Sequence, residues 1–392
     1  MNSRKVIGLP DADVFVFNKG GRDFRLEALE RGEEVPREFF YGFFELEEAG
    51  IKSAMMSTAG AVPGLFGAIA DKLERAFASV TQVGARPLSL RLQSRWFKTA
   101  KVAISYTDGF SLSLALGARR DKERPILIGG FHGLSDIENR APAHMRGVAR
   151  AIIRRALARL DHAFFFGPAD RKLAIANYGL ETDRSSIIPF GVDTEFWRSL
   201  PDVVEEDYVV AVGQDLNRDY ELLVRAPGRH PTRIVTRQNL VIPLDASHVT
   251  TSTGDFFTAD SMTDADLRRL YNGARAVIVP LKDVNQPTGY SVTLQAMSCG
   301  KPVIISKIKG LWAPELLVDG ENCLLVPPGD AVALSQAIGR VRSDADLRRR
   351  LGIAARSTAV AHFGLDKIGQ GTVALARLGL SLAARRAGAR AG

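Results

Sequence analysis

Arg218 is the residue whose position most invites chemistry. It follows the apolar run Val209–Val212 and Gly213, and it stands just ahead of the helical stretch Glu221–Ala226. A strand ending in glycine lets a ligand approach the backbone closely. A guanidinium at the start of the next helix can grip a diphosphate with two parallel N–H bonds. The same position also suits a surface ion pair with Asp215 or Asp219. A second candidate is the Gly/Pro loop Pro287–Gly289, which delivers a helix starting near Tyr290. The first N–H groups of such a helix lack partners within it and lie at the positive end of its dipole, a setting that favours phosphate.

The first half carries fewer signals. His132 stands at a strand end within Ile128–Leu134 (IGGFHGL), and Asp108-Gly109 follows the strand Lys101–Ser105. Taken alone, a strand-end histidine more often caps or hydrogen-bonds than catalyses. Lys19-Gly20-Gly21 after Val14–Phe17 is a glycine pair that serves equally as a plain turn. Neither an Asp-x-Asp step nor a His/Asp/Glu cluster of metal-ligand spacing is expected to serve a metal, so neither a metal nor a cofactor is expected.

These residues need a frame. Short apolar runs ending in Gly, Pro, Ser or Asp recur, each followed by a helical pattern. They are Val14–Phe17, Lys101–Ser105, Ile126–Gly130, Ala163–Gly167, Ser186–Phe190, Tyr208–Gly213, Arg233–Thr236, Ala276–Pro280, Pro302–Ser306 and Asn322–Pro327. Runs without alternation read as strands covered on both faces, and strands alternating with helices read as parallel sheets of βαβ units. Ten runs exceed one open sheet, so two doubly wound α/β domains are expected, with their strand C-termini facing one cleft. The expected division is residues 1–198, then 199–370, then a terminal helix with a frayed basic tail at 371–392. The polar stretch Arg198–Asp207 serves as junction and hinge.

Composition narrows the class without choosing the ligand. The 392 residues are 46% hydrophobic and 24% charged, with mean hydropathy −0.02, ordinary for a globular protein with a sizeable core. The net charge is 52 − 44 = +8, which suits anionic partners. Cys299 and Cys323 are too few for a disulfide framework, which fits a reducing cytoplasm. No secretory core and no run of about 18 apolar residues is read, so membrane contact is expected to be peripheral only.

The segment Ala265–Asp330 carries LY…A…VxP, the AMSCGKPVI helix and turn, Glu315–Asp319–Gly320 and the ending LLVPPGD. It resembles the donor half of the retaining family-4 (group 1) glycosyltransferases, which adopt the GT-B fold of two Rossmann-like domains. Arg155–Trp197, with its PxGVDxxxF exit at Pro189–Phe196, resembles the end of that family's N-terminal domain more loosely, and the likeness is poor before Lys101. Family members carry two glutamates, one near the donor sugar and one on the nucleotide ribose. Here the matching places are Gln286 and Gln295, with eight residues between them, one more than the family spacing. Glutamine keeps an acceptor oxygen, gains an NH₂ donor and loses the charge. Of the family's two basic residues on the donor turn, Arg218 matches the second and Gln214 replaces the first. Lys301, Lys307 and Lys309 are lesser cations of that half.

The resemblance implies catalytic roles for His132, Gln286 and Arg218. It implies donor contacts from Gly213, Arg218, Gln286, Gly289, Tyr290, Ser291 and Gln295, and an acceptor side with Gly20, Gly21 and Asp108. The implied substrates are a nucleotide-diphosphate sugar and a glycan or lipid-linked acceptor, without metal. A sugar-nucleotide epimerase and a catalytically silent binding protein are the alternatives, the latter supported by the doubled Glu-to-Gln departure. Two basic stretches, Arg86–Lys101 with Trp96 and Phe97, and Arg146–Arg159, suit an anionic membrane surface, or equally a solvated helix face. Nucleic acid ranks last, because the motifs lie elsewhere.

Overall fold

The computed structural model describes residues 6–8, 11–18, 23–57, 62, 64–81, 83–92, 100–118, 124–253 and 262–391. Gly20, Gly21, Trp96 and Phe97 lie outside them. The chain forms two units. The first comprises Met1–Asp23, Phe40–Pro189 and Ile368–Gly392; the second comprises Phe24–Phe39 and Phe190–Lys367.

The sheet of the first unit is built from β1 (Val6–Gly8), β2 (Val14–Asn18), β3 (Ser53–Ser57), β4 (Val102–Ser105), β5 (Ile126–Phe131), β6 (His162–Phe165) and β7 (Ser185–Ile187). Their order is β1-β3-β2-β4-β5-β6-β7, parallel except for β1, which pairs antiparallel with β3 at the edge. The second unit has β8 (Val209–Val212), β9 (Thr232–Val235), β10 (Val249–Ser252), β11 (Ala276–Val279), β12 (Val303–Ser306) and β13 (Leu324–Val326). All are parallel, in the order β10-β9-β8-β11-β12-β13. All ten expected runs form strands. β4, β5, β6, β8, β11 and β12 are buried along their whole length, as uniformly apolar strands covered on both faces must be.

Strand order then determines where a ligand fits. Counted along the second unit, its strands run third, second, first, fourth, fifth, sixth, so the order reverses between β8 and β11. Open α/β sheets bind ligands outside the strand C-termini at that point. In the first unit the corresponding reversal lies between β2 and β4.

The division differs from the expected one in three places. The chain leaves the first unit at Pro189 rather than at residue 198. Arg198–Asp207 lies wholly inside the second unit: Leu200 N donates to Asn272, Lys301 pairs with Glu205, and Glu206 N donates to Gly273 O. A stretch so tied to one unit is not a hinge. Finally, Leu365–Ala391 is one continuous helix, and from Ile368 it belongs to the first unit instead of fraying. Gly371 and Gly379 let it lie close, since a Cβ at Gly379 would come within 2.6 Å of Val102 Cγ1. Arg386 pairs with Asp161 at 2.6 Å near its end.

Candidate functional site

At the reversal in the second unit, β8 ends on Gly213 (φ 149°) and the chain turns through Gln214–Asp219 into the helix Tyr220–Arg225. Arg218 folds back across this turn. Its backbone bridges to Leu281, just beyond β11, and its guanidinium lies against Gly213, where a Cβ would come within 2.4 Å of Nε. Glycine is therefore required twice, by the dihedral angle and by the guanidinium. Gly213→Ala should cost about 1–3 kcal/mol of stability through backbone strain and displace Arg218. Thermal unfolding and nucleotide titration of this variant should both show losses.

Arg218 is 4% exposed. Nε donates to Asp215 Oδ2 at 2.9 Å, so the ion pair foreseen as the plain alternative forms. Asp215 is itself held by Thr288 Oγ1 at 3.0 Å and Asn217 N at 3.1 Å. The pairing leaves one end of the fork over. Nη1 is buried without a hydrogen-bond partner among the described residues, a costly state for a charged donor. Beside it begins the helix Tyr290–Ser298, entered through Gly289 (φ 79°), with no side chain capping its first N–H groups. A Cβ on Gly289 would stand 3.5 Å from Arg218 Nη1. An unpaired guanidinium nitrogen and an uncapped helix N-terminus thus meet.

They border a cavity of about 210 Å³ whose wall includes Gly213, Arg218, Ser291 and Gln295 together with Phe39, Asp215 and Asp264. Gln286 and Tyr290, expected in the same set, do not line it. The Gln286 side chain accepts from Asn217 Nδ2 at 3.2 Å, and the Tyr290 ring packs on Phe190 (4.4 Å) and Trp312 (6.2 Å). Lys301 and Lys309 are spent in ion pairs with Glu205 and Asp283.

Gln295 is 4% exposed and its amide is engaged: Nε2 donates to Glu38 Oε1 at 3.1 Å, and Tyr271 OH donates to Oε1 at 3.4 Å. Glu38 also accepts from Trp197 Nε1 at 2.7 Å and Asp193 N at 3.2 Å. Burial pushes its carboxyl up to about 7, against the lowering effect of Gln295 and Trp197. Arg25, 1% exposed, binds Asp264 through two bonds of 2.7 and 2.8 Å and lies 3.7 Å over the Phe39 ring. Arg25, Glu38 and Phe39 were not anticipated. No local pattern marks Arg25 or Glu38 as part of a site, because Asp264 and Gln295, the lining residues they hold, lie more than 200 residues away.

In the first unit, Asp108 and His132 meet at the C-terminal ends of β4 and β5. Asp108 Oδ1 accepts from His132 N at 3.2 Å and Gly133 N at 3.3 Å. Asp170 accepts from Leu134 N and Ser135 N at 3.1 and 2.8 Å. Two carboxylates therefore occupy the amides entering the helix Leu134–Arg140. Burial raises both, Asp170 to about 7. The His132 ring stacks on Phe166 at 4.2 Å and bonds to the Tyr106 carbonyl through Nε2. A carbonyl only accepts, so Nε2 carries the proton.

Contrary to the expectation from the sequence, the chain contains three Asp-x-Asp steps: Asp11/Asp13, Asp264/Asp266 and Asp344/Asp346. Asp13 pairs with Lys101, Asp264 with Arg25 and Asp346 with Arg349, while Asp266 and Asp344 cap helices. Among the described residues no group of three or more His, Cys, Asp or Glu side chains is arranged to hold a metal ion.

Residues 211–344 match the family described as Glycosyl transferases group 1. The chain is 26% identical over 228 residues to alpha-maltose-1-phosphate synthase of Mycolicibacterium smegmatis, covering 50% of this chain and 58% of that protein. It is 24% identical over 211 residues to the MMP alpha-(1->4)-mannosyltransferase of Mycolicibacterium hassiacum, 51% and 50% of the two chains. It thus spans little more than half the length of these curated relatives. Among solved structures it resembles sucrose-phosphate synthase of Thermosynechococcus elongatus, with TM-score 0.66 and 17% identity over 93% of this chain and 98% of that one. It also resembles Anabaena HepE in complex with UDP and glucose, with TM-score 0.61 and 16% identity over 93% and 99%.

Proposed function

We propose that this chain, which has the GT-B fold and carries a group 1 glycosyltransferase domain at residues 211–344, moves a sugar from a nucleotide-diphosphate donor to an acceptor hydroxyl. The observation that carries the reading is the cavity at the β8/β11 reversal, where Arg218 Nη1 has no partner among the described residues beside an uncapped helix N-terminus. A guanidinium nitrogen without a partner among the described residues and a helix N-terminus without a side-chain cap converge on one spot, which suits a diphosphate whose negative charge grows as the sugar leaves.

Each residue then has a task. Arg218 and the Ser291 amide in the first turn of the helix receive the phosphates, and Gln295 meets the ribose. Gln286 and His132 act on the donor sugar, with Asp108 holding the loop that carries His132. Cation and helix dipole neutralise the leaving group, so the transfer runs without metal, and its stereochemistry is retention. The alternative of a silent binding protein draws on Gln286 and Gln295 standing where the family has glutamates. Incubation with a panel of nucleotide sugars and acceptor glycosides decides. Release of nucleoside diphosphate together with a new glycoside is the expected result. Binding without turnover would favour the silent protein, and an altered sugar nucleotide would favour an epimerase.

The acceptor reading extends to a lipid-linked glycan at an anionic membrane surface. Among the described residues no helix is long and apolar enough to cross a membrane. The first unit instead leaves Leu65, Phe66, Ile69 and Leu73 exposed on the helix Leu65–Thr81, with Leu88 and Leu92 exposed on the helix Pro87–Leu92. Arg91 accompanies them, and Arg86 beside it is already paired with Asp71, which supports a surface that inserts apolar side chains beneath a basic rim. In Arg146–Arg159 part of the charge is already used, since Arg150 pairs with Glu138 and Arg154 bonds to Asn177 O. Each remaining basic residue near the surface contributes about 1 kcal/mol, screened by salt. Sedimentation should pellet the protein with phosphatidylserine vesicles at low salt and not with neutral ones. Equal pelleting would remove the membrane from the account.

A further inference from the structure

The segment Phe24–Phe39 is covalently remote from the rest of the second unit, yet it reaches the cavity wall three times. Phe39 lines the cavity, Arg25 fixes the lining residue Asp264, and Glu38 holds the lining residue Gln295. Of these contacts, the last bears most directly on chemistry.

A glutamine amide has two nearly equivalent orientations, and its neighbours choose between them. Glu38 Oε1 already accepts from Trp197 Nε1, so it is an acceptor and requires that Gln295 Nε2 face it, and Tyr271 OH lies within 3.4 Å of the amide's opposite Oε1. Glu38 cannot turn away, because Trp197 Nε1 and Asp193 N hold both of its oxygens. One N–H and one lone pair of Gln295 remain for a ligand, the complement of a vicinal diol, in which each hydroxyl both donates and accepts. A carboxylate at position 295 would instead face Glu38 across about 3 Å, a like-charge pair that disfavours ionisation of both. Positions 38 and 295 are thus matched.

We propose that Glu38 is a positioning residue of the donor site: its carboxylate, contributed from the N-terminal part of the chain, sets the Gln295 amide in the one orientation that receives the ribose hydroxyls of a nucleoside diphosphate. This rests on the donor reading above and assigns a part of that site to a segment outside the group 1 domain.

The test is a double-mutant cycle. UDP, GDP and ADP are titrated calorimetrically into wild type, Glu38→Asp, Gln295→Ala and the double variant. Glu38→Asp withdraws the acceptor from Gln295 Nε2 by one methylene, whereas Glu38→Gln would leave one oxygen accepting from both Trp197 and Gln295. Glu38→Ala replaces Glu38→Asp in the cycle should that variant not fold. Each single variant should weaken the best ligand roughly 5- to 10-fold, the worth of about one hydrogen bond. The double variant should bind within about twofold of Gln295→Ala, because Glu38 has nothing left to orient once the amide is gone. A purely structural role would instead add its loss to that of Gln295→Ala, and such additivity would overturn the proposal while leaving the donor site intact. If wild type binds none of the three nucleotides, the donor reading falls and takes this inference with it.

Discussion

Arg218→Ala lowers kcat/KM for the nucleotide sugar by roughly 10- to 150-fold. The range follows from one charge-assisted hydrogen bond, about 1.5–3 kcal/mol, at about 1.4 kcal/mol per tenfold. Arg218 is buried, with Nε committed to Asp215 and Nη1 unpaired. The fork is therefore already positioned, and little entropy is lost when phosphate arrives. Because diphosphate charge grows as the bond to the sugar breaks, the loss should fall more on kcat than on KM. Arg218→Lys should recover only part, since an ammonium cannot hold Asp215 and a phosphate oxygen in one plane. Steady-state kinetics on the three proteins check this. Unchanged turnover and nucleotide affinity in Arg218→Ala would remove the residue, and most of the mechanism, from the account.

Gln295→Glu restores the residue type found in the family, and it should nevertheless harm the protein. The new carboxylate would lie about 3 Å from Glu38, whose own carboxyl burial has already raised to about 7. An uncompensated buried charge costs on the order of 3 kcal/mol. The sign follows from proton binding. Groups whose folded pKa lies above the unfolded value bind more protons when folded, so stability falls as pH rises through the interval between the two. For Glu38 in the wild type this interval runs from the ordinary glutamate range to about 7. In Gln295→Glu the pair keeps a shared proton to still higher pH. The variant should thus approach wild-type stability near pH 5.5 and be most impaired at pH 8, in melting temperature and in nucleotide affinity alike. A variant as stable as wild type at pH 8 that also binds nucleotide more tightly would mean position 295 had merely drifted.

What could be read from the sequence follows from how far each signal reaches along the chain. Strands such as VVAV at 209–212 and AVIV at 276–279 announce themselves, because burial on both faces imposes apolar residues at every position. The turn carrying Gly213 and Arg218 and the entry at Gly289 were legible for the same local reason. β3, reading SAMMS, lacks the β-branched residues that mark a strand. β10, reading VTTS at a sheet edge, is exposed along most of its length, so nothing forces it to be apolar. β1 is only three residues long. The pairs Glu38–Gln295 and Arg25–Asp264 leave no local trace, since either member alone is an ordinary polar residue. For this reason Gln295 read as a lost charge, whereas the structure pairs it with a carboxylate from elsewhere in the chain.

The placement of Phe24–Phe39 in the second unit also bears on how the protein is made. Glu38 and its partner Gln295 are 257 residues apart, and Arg25 and Asp264 are 239 apart. At about 5–20 residues per second, the ribosome needs about 13–50 s after making Glu38 before Gln295 exists. Throughout that interval the N-terminal segment lacks Gln295 for Glu38 and, for most of it, Asp264 for Arg25, and closing so long a loop is slow and sensitive to competing contacts. The second unit therefore completes itself only late in synthesis, by recapturing a segment that emerged near the beginning.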